Sequence, residues 1–214
     1  MENLRASPFL ISHIQQMMFE CKVDRSKLVV VARHTSSMKK ATAYAQRLRA
    51  DIAVLHGSVE VDTDEVDGRS SPPPIRSIEF FPGGGQTLPM FTDHEAFRST
   101  PMNLVGEVGG KIAIMVEDII DDVDCFTAAA RFLKEQGAEK VFLLATHALL
   151  SEERAAELNA SAVDQIVVTN TVPIEYKLEK LVSIDIGVLL TEAIRRLHNQ
   201  ESLSYLFTDV SVED

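Results

Sequence analysis

Between Val116 and Phe126 the chain places five carboxylates, Glu117, Asp118, Asp121, Asp122 and Asp124, directly after an apolar run. A buried strand that runs into acidic residues and then a helix is the layout of a ribose-phosphate site. Carboxylates at the strand end accept hydrogen bonds from ribose hydroxyls, and the free amides of the next helix N-terminus receive the phosphate. The same stretch also opposes that chemistry. A phosphate cradle needs small residues and amides aimed at the anion, whereas Asp122, Val123 and Asp124 stand at the helix start. Two carboxylates repel a phosphate, and Val forbids the close backbone approach that Gly allows. Asp122 and Asp124 serve equally well as a helix cap and a first-turn acid. Cys125 lies where the helix dipole lowers a thiol pKa, but Asp121, Asp122 and Asp124 push it the other way, so an unreactive thiol is expected.

Other chemistry-bearing residues form no comparable pattern. Gly106-Glu107-Val108-Gly109-Gly110-Lys111 superficially resembles a phosphate loop, yet such a loop follows a strand and opens a helix. Here the glycines precede a strand, and Gly109-Gly110 reads as a tight hairpin turn between Leu104–Val108 and Lys111–Val116. His34, His56, His147 and His198 lack metal-ligand spacing, so no metal site is expected. No G-x-S-x-G marks a nucleophilic serine, and no catalytic residue is assigned.

The elements that must position the acidic stretch alternate along the chain. Ser7-Pro8 reads as a helix start, with Ser as cap and Pro at the first helical position, followed by Leu10, Ile11, Ile14, Met17 and Met18 at helical spacing. Lys27–Ala32 is a β-branched run without alternation, suited to a parallel strand buried on both faces. A helix over Ser37–Arg49 and a strand over Ile52–Leu55 follow. Further on come strand Lys111–Val116, helix Asp124–Gln136, strand Val141–Ala145, helix Glu152–Asn159, strands Gln165–Thr169 and Leu181–Ile184, and a closing helix Gly187–Asn199. The pattern predicts an α/β fold with a mostly parallel sheet flanked by helices, in which ligands bind beyond the carboxyl ends of the strands.

With 214 residues, 45% of them hydrophobic, the chain is expected to form one domain with its own core. From Gly57 to about Met102 the alternation stops. Pro72-Pro73-Pro74 and Gly83-Gly84-Gly85 fall there, and Glu60, Asp62, Asp64, Glu65 and Asp67 outnumber Arg69 and Arg76. That stretch reads as a long acidic loop, with strand character at Ile75–Phe81. Ser71, before Pro72, is a candidate phosphorylation site, where a phosphate would add close to two negative charges to an already acidic segment. A net charge of −11 argues against nucleic acid or an anionic membrane as partner, since phosphate binding needs clustered Lys and Arg. Two cysteines, Cys21 and Cys125, provide no disulfide framework, and no apolar run reaches membrane-spanning length, so a cytoplasmic protein is expected.

Several separate segments, in order, resemble the phosphoribosyl pyrophosphate synthetase family. Val116–Phe126 aligns with its ribose-5-phosphate loop, D-D-x-x-D-T-G-G-T. Asn3-Leu4-Arg5-Ala6 resembles its domain-junction D-N-L-x-A. Thr146-His147 with Leu149 and Ser151 resembles T-H-G-x-x-S, and Val167-Val168-Thr169-Asn170-Thr171-Val172-Pro173 resembles V-V-T-N-T-I-P. Glu192-Ala193-Ile194-Arg195-Arg196-Leu197-His198-Asn199, with Glu201-Ser202 and Ser204-Tyr205-Leu206-Phe207, resembles the closing E-A-I-R-R-x-H-N-G-E-S-x-S-Y-L-F. The departures are as specific. Asp121 stands, but Asp122, Val123, Asp124 and Cys125 replace T-G-G-T. Ala32-Arg33-His34-Thr35-Ser36-Ser37 replaces S-P-D-x-G-G. His56-Gly57-Ser58-Val59-Glu60 replaces a loop rich in Lys and Arg, which a polyanionic transition state requires. These changes, with the inserted Val66-Asp67-Gly68-Arg69-Ser70-Ser71-Pro72-Pro73, resemble the synthetase-associated branch of the family.

The resemblance implies a type I phosphoribosyltransferase-like fold and a correspondence to the C-terminal half of the family, starting at the domain junction. The resemblance places the ATP- and magnesium-binding segments in the family's N-terminal half, outside the matched stretch, whether this chain is a fragment, an isoform or a trimmed gene model. It further implies a non-catalytic regulatory subunit, a pseudoenzyme without cofactor, that joins catalytic phosphoribosyl pyrophosphate synthetase subunits in a homo- or hetero-oligomer and restrains them in nucleotide biosynthesis. On this reading Glu117, Asp118, Asp121, Asp122, Val123, Asp124 and Cys125 form a degenerate ribose-phosphate loop. The alternative is a residual ribose-phosphate diphosphokinase using ATP and magnesium, with Glu117, Asp118 and Asp121 still meeting ribose hydroxyls. A third class is a purely structural interaction module.

Overall fold

A computed structural model describes residues 4–56, 102–204 and 206, all of which fall in one compact unit. Ser71, the Ile75–Phe81 segment and nearly all of the Gly57–Met102 insertion lie outside the described residues.

The β-branched run expected as a buried strand is β1, Leu28–Ala32, with every residue buried. It stands third in a seven-stranded sheet of order β3-β2-β1-β4-β5-β6-β7. The remaining strands are β2 (Asp51–His56), β3 (Asn103–Val105), β4 (Ile112–Ile120), β5 (Lys140–Ala148), β6 (Gln165–Thr169) and β7 (Leu181–Ile184). All neighbours pair in parallel except β2 and β3. Helices α1 (Ser7–Cys21), α2 (Met38–Leu48), α3 (Val123–Glu135), α4 (Glu152–Ala160) and α5 (Gly187–His198) cover it.

Successive strand residues face opposite sides, so the sheet divides its apolar residues between two cores. Val29, Val31, Met115, Leu143 and Val168 pack with Phe126, Ala130 and Leu133 of α3 and Leu158 of α4. Val30, Ile114, Val116 and Leu144 pack with Leu10 and Ile14 of α1 and Tyr44 and Leu48 of α2. Burial on both faces explains why the strands read as continuous apolar runs rather than alternating ones. On α5, Leu189 and Ala193 meet Phe9 and Leu206 in a smaller third cluster.

Three local expectations are corrected. Ser7 does not cap α1. It is already helical, Ala6 takes the cap position without a side-chain bond, and the Ala6 carbonyl accepts from Phe9 and Leu10. Pro8 sits within the first two helical positions, where its missing N–H costs nothing. Gly109-Gly110 does form a turn, closed by the Lys111 amide donating to Val108 O at 3.1 Å, but not a hairpin. The Gly110 amide donates to Gly137 O at 2.8 Å, which ties the turn to the end of α3 instead. The preceding strand pairs with β2 at the sheet edge. Gly106 makes that departure possible: its φ is +115°, and a Cβ there would lie 2.8 Å from Ala53 Cβ. The third correction is the end of β4, which runs four residues past Val116 because β5 also continues, pairing Glu117 with Ala145, Ile119 with His147 and Ile120 with Ala148. Main-chain ladders do not depend on side-chain polarity, so Glu117 and Asp118 are strand residues rather than the loop expected after Val116.

Candidate functional site

Because β1 lies between β2 and β4, the chain leaves β1 toward one side of the sheet and β4 toward the other. Ligands in open α/β sheets bind in the crevice beyond the carboxyl ends at such a switch point. The register Val31 with Met115 carries forward to bring Arg33 beside Glu117. At the crevice, Arg33 Nε donates to Glu117 Oε1 at 3.2 Å, and His34 Nε2 lies 3.6 Å from the same oxygen. The Glu117 side chain is only 10% exposed and that of Arg33 16%. The Arg33 guanidinium carbon stands 4.6 Å from the centroid of Phe126, a residue fully buried at the start of α3. Further contacts hold His34. Its Nδ1 lies 2.7 Å from Ser36 Oγ, and the Ser37 hydroxyl donates to its carbonyl at 2.9 Å. The next acid, Asp118, pairs with Lys40 Nζ of α2 at 2.5 Å from a largely exposed position.

The helix start is built from the chain's own acids. Asp122 caps α3, its Oδ1 accepting from the Cys125 amide at 3.5 Å and its Oδ2 from the Cys125 thiol at 2.8 Å. Asp121 Oδ1 accepts from the Asp122 amide at 2.8 Å. Asp124, in the first turn, meets Arg154 of α4 at 3.3 Å, and Arg154 also holds Glu157 at 2.7 Å. Val123 is buried, so it belongs to the core rather than to a cradle. An amide that could receive an anion is therefore engaged by a carboxylate, which a phosphate would have to displace against its negative charge.

Burial pushes the Cys125 thiol up to about 11, helped by its bond to Asp122 and by the charges of Asp122 and Asp124, while Arg33 opposes the shift. The direction of that shift is the one that the expected unreactive thiol requires. At pH 8 a thiol with that pKa is thiolate in only about one molecule in a thousand. Iodoacetamide is expected to label the exposed Cys21 well ahead of Cys125, with the Cys125 rate rising about tenfold per pH unit toward pH 10. Asp122→Ala removes the thiol's acceptor and the nearest negative charge, so it is expected to speed Cys125 labelling at pH 8. Mass spectrometry of tryptic peptides checks both, and equal labelling of the two thiols at pH 8 would count against the arrangement.

At the same end of the sheet the strand termini β5 and β6 are joined. His147 Nδ1 lies 2.6 Å from Thr171 Oγ1, and the hydroxyls of Thr169 and Thr171 both donate to Thr146 O. On α5, hydrogen bonds from Arg195 hold Glu192 down to about 2, against some desolvation and with help from Arg196. Glu201 extends that network to Arg195.

The structure brings Glu117, Asp118, Asp121, Asp122, Asp124 and Cys125 to one end of the sheet, with Val123 turned into the core. Sequence reasoning missed the roles of Arg33, His34, Lys40 and Arg154. Arg33 and His34 stood in view as replacements for a proline and an acid, but their approach to Glu117 follows from the β1–β4 register. Among the described residues no group of three or more His, Cys, Asp or Glu could hold a metal ion. Among those residues no helix is long and apolar enough to cross a membrane.

Comparison with known proteins gives this arrangement its setting. Residues 24–208 match the family model for the phosphoribosyl synthetase-associated domain. The chain is 48% identical to human phosphoribosyl pyrophosphate synthase-associated protein 2 and 46% identical to human phosphoribosyl pyrophosphate synthase-associated protein 1, in each case over 100% of its own length. It spans 57% and 58%, respectively, of those two relatives. The crystal structure of phosphoribosylpyrophosphate synthetase from Mycobacterium smegmatis superposes with a TM-score of 0.66 at 23% identity, covering 92% of this chain and 51% of that one. The fold is thus the mostly parallel, helix-flanked sheet of the phosphoribosyltransferase type, and the chain belongs to the phosphoribosyl synthetase-associated family.

Proposed function

We propose that this chain is a non-catalytic regulatory subunit that associates with catalytic phosphoribosyl pyrophosphate synthetase in the cytoplasm and restrains it. One observation carries the reading: Asp122 caps α3 with its own carboxylate and engages the Cys125 amide that a substrate phosphate would need. A site built this way keeps the fold of the family while opposing the anion at its centre. Relatives named for association with the synthase match the whole chain, and that supports synthetase as the partner. The reading needs neither ATP nor magnesium from this chain.

Association is tested by mixing the purified chain with a catalytic synthetase and measuring mass by size-exclusion chromatography with light scattering. Co-elution at a mass above that of either component is expected. Separate elution at every protein ratio, from micromolar to tens of micromolar, would contradict the reading.

A further inference from the structure

We propose that Arg33, seconded by His34, is a built-in occupant of the site: it holds Glu117 in place of a sugar hydroxyl and closes the strand end to sugar phosphates independently of the helix start. This inference rests on the functional reading above, in which the β4 end is a degenerate ribose-phosphate loop, and deepens it.

A carboxylate that recognises ribose must offer its lone pairs to hydroxyl donors. Glu117 Oε1 already receives Arg33 Nε at 3.2 Å, with His34 Nε2 3.6 Å away. Arg33 cannot leave cheaply. Its guanidinium lies against the Phe126 ring, and both members of the pair are mostly out of water, so a ligand that displaced it would strand a poorly hydrated charge. The other acids are engaged in the same manner: Asp118 by Lys40, Asp124 by Arg154, Asp122 by the Cys125 amide and thiol, and Asp121 by the Asp122 amide. Cations from the segment after β1 and from α2 thus meet the two strand acids, while the helix start blocks the phosphate position separately. Two locks at separate positions make a specific prediction: opening one leaves the other in force.

The probe is ribose 5-phosphate, titrated by calorimetry into the full chain and three variants. These are Arg33→Met, a helix-start variant (Asp122→Thr, Val123→Gly, Asp124→Gly and Cys125→Thr) and the combination. Methionine keeps an apolar stem over Phe126 while removing the charge. The combination is expected to bind at least about tenfold tighter than the helix-start variant alone, the scale of one charge-assisted hydrogen bond. Equal affinity of those two, or no binding by the combination, overturns the proposal.

A second readout needs no variant of Arg33. In ¹⁵N spectra of the wild type, the Arg33 Nε–H is expected to exchange slowly with water and to shift in Glu117→Gln. An Nε–H that exchanges as fast as an exposed arginine's, or that ignores Glu117→Gln, overturns it as well. Synthetase association is scored on the same proteins. Intact association without the tenfold gain sinks this inference alone, whereas a wild type that fails to associate counts against the functional reading and not against the lock.

Discussion

Phe126→Ala is expected to cost about 3–5 kcal/mol of folding stability, the range for truncating a large aromatic in a core that relaxes only partly. Phe126 is fully buried in the first turn of α3, among the strand and helix residues of the larger core. It also carries the Arg33 guanidinium on its ring, so its loss removes packing from below and support from the crevice above. Urea denaturation followed by circular dichroism gives the number. Phe19→Ala is the control, because Phe19 is 86% exposed and its replacement is expected to stay within about 0.5 kcal/mol. A Phe126→Ala loss below about 1 kcal/mol would mean that α3 does not anchor the core as described.

The second large effect concerns the helix start. The wild type is expected to show no ribose 5-phosphate binding in the micromolar range, and the variant that restores Thr-Gly-Gly-Thr at positions 122–125 is expected to gain about tenfold or more. Two unit negative charges leave the anion position, and at about 4 Å and an effective dielectric near 20 each like-charge contact is worth on the order of 4 kcal/mol before screening. Removing the Asp122 cap costs about 1 kcal/mol, and emptying the buried Val123 position adds roughly 1.5–3 kcal/mol, so the variant's folding is verified first. Micromolar affinity in the wild type would show that the Asp122 cap does not close the site.

The strands β1, β5 and β6 were legible because burial on both faces leaves unbroken apolar runs, β2 because its centre, Ala53–Leu55, is such a run, and α1 because Leu10, Ile14 and Met18 recur on one face. The end of β4 was not legible. Glu117 and Asp118 look like a loop from their polarity, yet β5 supplies the ladder that keeps them extended. The Gly109-Gly110 hairpin failed for a related reason. The turn chemistry was read correctly, but which strand pairs with which is decided by tertiary contacts, here by the close approach of Gly106 to Ala53. At the site, residue types alone pointed to Asp122 and Asp124 as obstacles to phosphate and to Cys125 as inert. For Cys125 the neighbouring Asp122 and Asp124 push in the direction that the residue types give, while burial, the largest cause, comes from the fold. The Arg33–Glu117 pair joins residues 84 positions apart, so no local pattern could reveal it.

The most direct measurement of the central claim is the turnover of a catalytic synthetase with and without this chain bound. Phosphoribosyl pyrophosphate formation from ATP and ribose 5-phosphate is followed in three samples: the synthetase alone, the chain alone, and the isolated complex at equal synthetase concentration. The account predicts no turnover by the chain alone and a lower rate per synthetase subunit in the complex than in the free enzyme. Turnover by the chain itself, or a complex whose rate per catalytic subunit equals or exceeds that of free synthetase, would contradict it.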